Sequence, residues 1–275
     1  MRPETVAESG SWRIVVPASR VIEPHLALVR AGRRADALDP REGAGLIQAY
    51  RLATSALHRC FGATGFMVSF AVNWQGTRDG VGEPDPIDGA TCAVHVFGRK
   101  PGEPISPIRA MALRRSDRAS LPPGPALLQR LRQELRGEPE PIRIQPPDTP
   151  RCDGCTGAVL TEQERWRSRD VRVIRPKRVL IDPHVLVLPI RHVVSLRDLE
   201  PDEVASMSAR LLEALVQFRL ATGSTGLSCF ANDGLAARQE TPHVHVHVYG
   251  RSPVEPVNPY LRMAGYLTAG QPSNA

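Results

Sequence analysis

The 275-residue sequence predicts an α+β fold, an antiparallel sheet with helices packed on it, built twice over. Three observations predict it. The stretch "TPHVHVHVYGR" (241–251) alternates β-branched valines with polar side chains, the period of a half-buried strand. The stretches "DPREGAGLIQAYRLATSALHR" (39–59) and "EPDEVASMSARLLEALVQFRL" (200–220) open on Pro-x-Glu and carry apolar residues at helical spacing. The same series of elements then recurs along the chain. Strands joined by short turns around one long helix imply antiparallel pairing, with the helices on one side of the sheet.

The elements follow in order. "VPASRVIEPHLALV" (16–29) matches "RPKRVLIDPHVLVL" (175–188), with Pro17, Glu23, Pro24 and His25 answering Pro176, Asp182, Pro183 and His184. Each is read as a strand ending in Pro-His. The amphipathic helix comes next, then a glycine-bearing turn and a strand, "GATGFMVSFAVNWQG" (62–76) against "GSTGLSCFANDG" (223–234). A loop leads to the last strand, "TCAVHVFGR" (91–99) against "HVHVHVYGR" (243–251). A repeat of this length is a duplicated domain rather than a solenoid unit. The expected division is a first domain over 1–100, a connector over 101–150 and a second domain over 151–275. The connector is rich in proline and arginine, holds one expected helix around Pro125 to Arg136, and reads as a semi-rigid crossing of the surface.

Composition narrows the class of function. Apolar residues make up 41% and charged residues 23%, the proportions of a water-soluble globular protein. No apolar run has the length of a membrane helix, and "MRPETVAESGSWRIVV" lacks the apolar core of a signal peptide, so a cytoplasmic protein is expected. Five cysteines, an odd number with one close pair, do not form a secreted disulfide framework. The net charge of +6 suits anionic small molecules, while aromatics at 5% offer few stacking platforms and disfavour nucleic acid as a partner.

His243, His245 and His247 are the candidate chemical centre. On one strand they share a face at roughly 6.5–7 Å intervals, near enough to converge on one small polar ligand. They can hold a metal, attack a substrate, or merely decorate a solvent-facing strand. Asn232-Asp233-Gly234 alone reads as a turn, and Gln239 alone carries no signal.

Together these residues resemble the histidine triad (HIT) superfamily, whose mark is three histidines at alternate positions near the domain end. The likeness runs through "DPHVLVLPIRHVVSLRDLEPDE", the helix, "NDG", and Gln239 before His243. The tandem arrangement resembles the galactose-1-phosphate uridylyltransferase and dinucleoside-polyphosphate phosphorylase branch. There one chain imitates the symmetric dimer of single-domain relatives. That branch carries glutamine at the third triad position, so His247 is closer to the hydrolase branches. The resemblance implies two fused HIT-like domains forming an intramolecular pseudo-dimer, in a monomeric or homodimeric chain. It also implies that His245 attacks an α-phosphorus to form a nucleotidyl-histidine, its Nδ1 donating to a fixed acceptor so that Nε2 keeps its lone pair. His247 would donate to a phosphate oxygen, with Asn232 and Gln239 assisting. Cys152, Cys155, His192 and His243 would form a closed zinc site that staples the domain.

In the first copy, Thr91 and Ala93 stand in the first two triad positions, and only His95 survives at the third. Arg33 falls near the place of the zinc histidine, and no cysteine pair precedes it. An alanine cannot attack phosphorus, so one active site per chain is expected. The first copy would then support the sheet interface, with scope to lend side chains to the other site. Cys60, Cys92 and Cys229 read as small buried apolar residues, and His25, His58 and His184 as structural.

Two departures bear on the substrate. Glu240, preceded by Arg238, stands where relatives carry serine or threonine beside the phosphate. A carboxylate there repels phosphate unless Arg238 pairs with it or the substrate presents a cation. Pro176 replaces a ribose-gripping residue and offers no polar side chain. The expected function is hydrolysis or nucleotidyl transfer on a small phosphate ester or nucleotide. The alternatives are a repurposed enzyme of specialised metabolism and a nucleotide or sugar-nucleotide binding protein without turnover.

Overall fold

The computed structural model describes residues 3–268 apart from 19, 21, 31–36, 75, 78, 85, 88–89, 91, 104–105, 119–121, 149–151, 156–157 and 256. Thr91 and Arg33 therefore lie outside the described residues. Ten strands, β1 (Glu4–Ser9), β2 (Trp12–Val16), β3 (His25–Arg30), β4 (Gly65–Val72), β5 (Cys92–Arg99), β6 (Glu164–Arg167), β7 (Val171–Ile174), β8 (His184–Pro189), β9 (Gly226–Asp233) and β10 (Val246–Arg251), form one antiparallel sheet. Their order is β1-β2-β3-β5-β4-β9-β10-β8-β7-β6. Five strands precede the connector and five follow it. The halves join where β4 pairs with β9, from Phe66 opposite Asp233 to Val72 opposite Leu227. Ser69 and Phe230, counterparts in the two copies, face each other directly at the centre of this seam.

Both Pro-His pairs sit differently from expectation: His25 and His184 open β3 and β8 rather than ending a strand. The aliphatic runs before them turn the chain, and the β-branched runs after them pair.

Two long helices, α1 (Pro40–Phe61) and α4 (Pro201–Thr222), lie where the Pro-x-Glu signals place them. Asp39 Oδ1 accepts from Glu42 N at 2.8 Å and Glu42 Oε2 from Asp39 N at 3.2 Å, so two orphan donors of the first turn are satisfied reciprocally. Glu203 Oε2 accepts from Glu200 N at 2.9 Å at the head of α4. Gly62 and Gly223 end the helices, each with φ 71°, a left-handed conformation that glycine adopts without a Cβ clash.

Alternation sorts the side chains. Leu26, Leu28, Phe66, Val68, Val94 and Val96 pack under α1, and Val185, Val187, Cys229, Ala231, Val246 and Val248 pack under α4. The opposite residues of the same strands, Met67, Phe97, Phe230 and Tyr249, point to the other face. There they meet Ile108 and Met111 of α2 (Pro107–Met111) and Tyr260 and Met263 of α5 (Pro259–Thr268). Helices thus cover both faces, not one, because the central strands are apolar on both sides. The connector is also more than a surface crossing: α2 and α3 (Pro125–Glu134) bury Ile108, Ala110, Met111 and Leu131. Among the described residues no helix is long and apolar enough to cross a membrane.

A buried polar joint ties the halves together on the α1/α4 side. Tyr50 Oη donates to Asp233 Oδ2 at 2.7 Å and Ser195 Oγ donates to the same oxygen at 3.0 Å. Arg197 donates to Thr54 Oγ1 and to the carbonyls of Arg51 and Glu140.

Candidate active site and metal centre

On the face away from α1 and α4 a cleft of about 890 Å³ opens over β8, β9 and β10. His184, Phe230, Asn232, His245, His247 and Tyr249 rise from its floor. Met67 and Arg99 from the other half, with Ser106, Pro107 and Ile108 of the connector, close one wall.

His245 Nδ1 lies 2.9 Å from the carbonyl oxygen of His243. A carbonyl only accepts, so Nδ1 carries the proton and Nε2 keeps its lone pair. Burial lowers the His245 pKa, opposed by that hydrogen bond and by the Glu240 charge. Burial thus favours the neutral ring, with its proton on Nδ1.

His247 is held between aromatic rings and a second imidazole. It stacks on Phe230 with centroids 4.4 Å apart at 3°, and its Nδ1 lies 3.1 Å from His184 Nε2. His184 in turn stacks on Tyr249 at 4.1 Å. Among the described residues His184 Nδ1 is buried and meets no partner. A buried N–H left without an acceptor costs more than an idle lone pair, so the His184 proton sits on Nε2 and is donated to His247 Nδ1. The proton of His247 is thereby placed on its own Nε2. Desolvation is the main cause that holds both rings neutral, taking His184 down to about 3 and His247 well below its ordinary value. His184, read from sequence as structural, therefore lines the cleft and orients a triad residue.

The first triad histidine leaves the row. β10 begins at Val246, not at His243, because the Val244 N–H is bonded instead to the carbonyl of Val193. His243 is fully buried and its Nε2 donates to the Pro189 carbonyl at 2.9 Å. Its Nδ1 lone pair then faces Cys152 Sγ at 3.4 Å and Cys155 Sγ at 3.8 Å, while His192 Nδ1 lies 3.2 Å from Cys155 Sγ. The four donor atoms lie within 4.8 Å of one another, a separation and a donor set that suit a tetrahedral metal ion. Gly154 is part of the cradle, since a Cβ there would come 2.5 Å from His243 Cγ.

The remaining sequence candidates divide. Asn232, Arg238 and Glu240 line the cleft, Arg238 with φ 63° at the end of a turn whose carbonyl accepts from Asn232 Nδ2 at 3.4 Å. Pro176 lines it too. Gln239 borders the cleft, but its amide is spent inside the protein and does not reach toward a phosphate. Its Oε1 accepts from Gly234 N at 2.7 Å, and its Nε2 donates to the Val194 and Thr241 carbonyls at 3.0 and 2.9 Å. It holds the loop before the triad. Cys229 is buried as expected, whereas Cys60 and Cys92 are only partly so.

The first copy repeats the frame without the site. His25 Nε2 lies 3.0 Å from His95 Nδ1, and His25 stacks on Phe97 at 4.2 Å, mirroring His184, His247 and Tyr249. Its longer β4–β5 loop, residues 73–91 against 234–245, brings Ile87 onto Ala27 and Val29, with Ala93 packed alongside, where the other half is open.

Sequence reasoning missed Arg99, Lys177 and Arg178 on the cleft wall. Only the repeat alignment, which sets "FGR" (97–99) beside "YGR" (249–251), held a signal, and it served Arg99 alone.

Residues 166–254 match the model of the HIT domain family. Over 76 residues the chain is 36% identical to a bis(5'-nucleosyl)-tetraphosphatase (asymmetrical) of Schizosaccharomyces pombe, a match over 26% of this chain and 40% of that protein. The chain thus spans less than half the length of the curated relatives it matches. Two solved structures from Arabidopsis thaliana share the fold over nearly the whole chain. A GalT-like protein superposes with TM-score 0.54 at 11% identity, covering 93% of this chain and 78% of that one. An ADP-glucose phosphorylase with bound ADP-glucose superposes with TM-score 0.55 at 9% identity, covering 93% and 76%.

Proposed function

From a chain that carries a HIT domain in its second half within a two-domain GalT-like fold, we propose an enzyme that hydrolyses or transfers nucleotidyl groups through His245, with one active site per chain. The observation that carries this is the 2.9 Å bond from His245 Nδ1 to the His243 carbonyl, which frees Nε2 beneath an open cleft.

In the reaction His245 Nε2 attacks the α-phosphorus. The N–P bond forms as the P–O bond to the leaving group breaks, and the leaving oxygen departs with the electron pair. The His247 Nε2–H donates to a phosphoryl oxygen as charge develops there, with Asn232 beside it. A second acceptor then attacks phosphorus, the N–P bond breaks, and His245 is restored. The cleft wall carries Arg99, Lys177, Arg178 and Arg238 against Asp153 and Glu240, an excess of two positive charges that favours an anionic substrate.

The active domain is residues 151–275, stapled by zinc on Cys152, Cys155, His192 and His243. Residues 1–100 form its inactive partner, joined through 101–150, so one chain acts as a pseudo-dimer. A zinc content near one per chain in purified protein is expected. Five thiols without a disulfide agree with a cytoplasmic setting.

Mixing the protein with ADP-glucose or a dinucleoside tetraphosphate and analysing it by intact mass tests the reaction. A nucleotidyl adduct on the wild type, absent in His245→Ala, is expected. A second reading, a binding protein without turnover or an enzyme of specialised metabolism, rests on Glu240 and Pro176 at the cleft. Tight nucleotide binding with neither adduct nor product would establish the binding protein.

A further inference from the structure

The two copies end their last strands on the same residues, Gly98-Arg99 and Gly250-Arg251, and each arginine meets a glutamate four residues on. Arg99 Nη1 lies 2.8 Å from Glu103 Oε2, and Arg251 Nη2 lies 2.7 Å from Glu255 Oε1. In the second case the structure shows what else such an arginine takes. Arg251, fully buried and 4.8 Å over the Trp74 ring, also holds the Glu83 carboxylate, Nη1 to Oε1 at 2.5 Å. Ser228 adds its hydroxyl to the same carboxylate. Glu83 comes from the long β4–β5 loop of the first half, the segment that fills the inactive face. Across the seam the counterpart loop is short, and Arg99 stands on the wall of the open cleft instead. Arg99 comes from the half without a nucleophile, is only 6% exposed in its side chain, and lines the same cleft as Arg238. One guanidinium has five N–H donors and can serve two carboxylates, as Arg251 does.

We propose that Arg99, with Arg238, binds a second anionic group of the substrate, separate from the phosphoryl group that His245 attacks. Glu83 on Arg251 is the internal counterpart of that bound anion. The first half is then a contributor to substrate binding. The proposal rests on the reading of the cleft as the substrate site, but not on turnover.

Isothermal titration of the full chain with inorganic pyrophosphate, in low salt, tests it. Wild type is expected to bind, and Arg99→Ala to bind at least fivefold more weakly, with unchanged melting temperature and metal content. Glu103→Gln removes the competing carboxylate and is expected to leave binding equal or tighter. If Arg99 merely braced its turn through Glu103, both variants would weaken binding alike, and the proposal falls. It falls also if wild type does not bind pyrophosphate, or if Arg99→Ala binds within fivefold of wild type. Should Arg99→Ala fold poorly, Arg99→Gln keeps a hydrogen-bond donor to Glu103 without the charge and is read by the same threshold. The adduct on His245 is read separately by mass, so failure of the chemistry and failure of this anion site give different results.

Discussion

His184 Nε2 lies 3.1 Å from His247 Nδ1, and the first copy keeps the same contact between His25 and His95 at 3.0 Å. The pairing therefore belongs to the frame of the fold, and in the second half it sets which nitrogen of His247 carries the proton.

His184→Ala frees His247 from that constraint while leaving the Cys/His cluster untouched. Turnover is expected to fall at least about tenfold, short of the loss from removing a positioned proton donor itself. His184→Asn, which can still donate to Nδ1, should recover part of it. Steady-state kinetics with metal content as control reads the difference; a metal loss in His184→Ala would point to a collapsed site instead.

Gly154→Ala forces a methyl group to within 2.5 Å of the His243 ring. His243 must then move from between the thiols. The expected results are zinc well below one per chain by elemental analysis and a lower melting temperature. A chelator should reproduce the melting shift in wild type and leave the variant unchanged.

Asp233 is buried with Oδ1 unpartnered among the described residues, and burial is the first cause that raises its pKa from 3.8 to about 6, against the hydrogen bonds from Tyr50 and Ser195. The folded state holds the Asp233 proton more tightly than the unfolded chain. Between pH about 4 and 6 the native protein thus binds the extra proton, and this residue's contribution to stability declines as pH rises. Asp233→Asn removes the titration. Urea denaturation at pH 4 and pH 7 should show the variant gaining on wild type by a few kcal/mol, at ~1.4 kcal/mol per pKa unit. An equal difference at both pH values contradicts the assignment.

Glu83→Ala leaves Arg251 as a buried charge with Glu255 as its remaining carboxylate partner, and should cost about 1.5–3 kcal/mol of stability, the range for a hydrogen bond to a charged group. Replacing both members, Glu83→Leu with Arg251→Met, removes the buried charge along with its lost partner and is expected to restore most of the loss. Urea midpoints for the three proteins decide it.

The sequence by itself determined the duplicated α+β plan, because the periods of the strands and helices, the Pro-x-Glu starts and the recurrent Pro-His are local signals repeated in register. It also placed Cys152, Cys155, His192 and His243 in one candidate set, through the family likeness, and the four meet in space. It could not tell that His243 leaves the strand, since Val244 has a valine's β preference wherever its N–H is bonded, and here Val193 competes for it. Nor did it show that Gln239 turns inward, a choice set by the Gly234 amide, the neighbouring Thr241 carbonyl and the Val194 carbonyl, which is distant in sequence. Only the tertiary structure brought Arg99 to the cleft and Glu83 to Arg251. The reason is the seam between β4 and β9: antiparallel pairing there crosses the two halves, so each sends its last residues to the other's face, and no period or motif within one copy records that crossing.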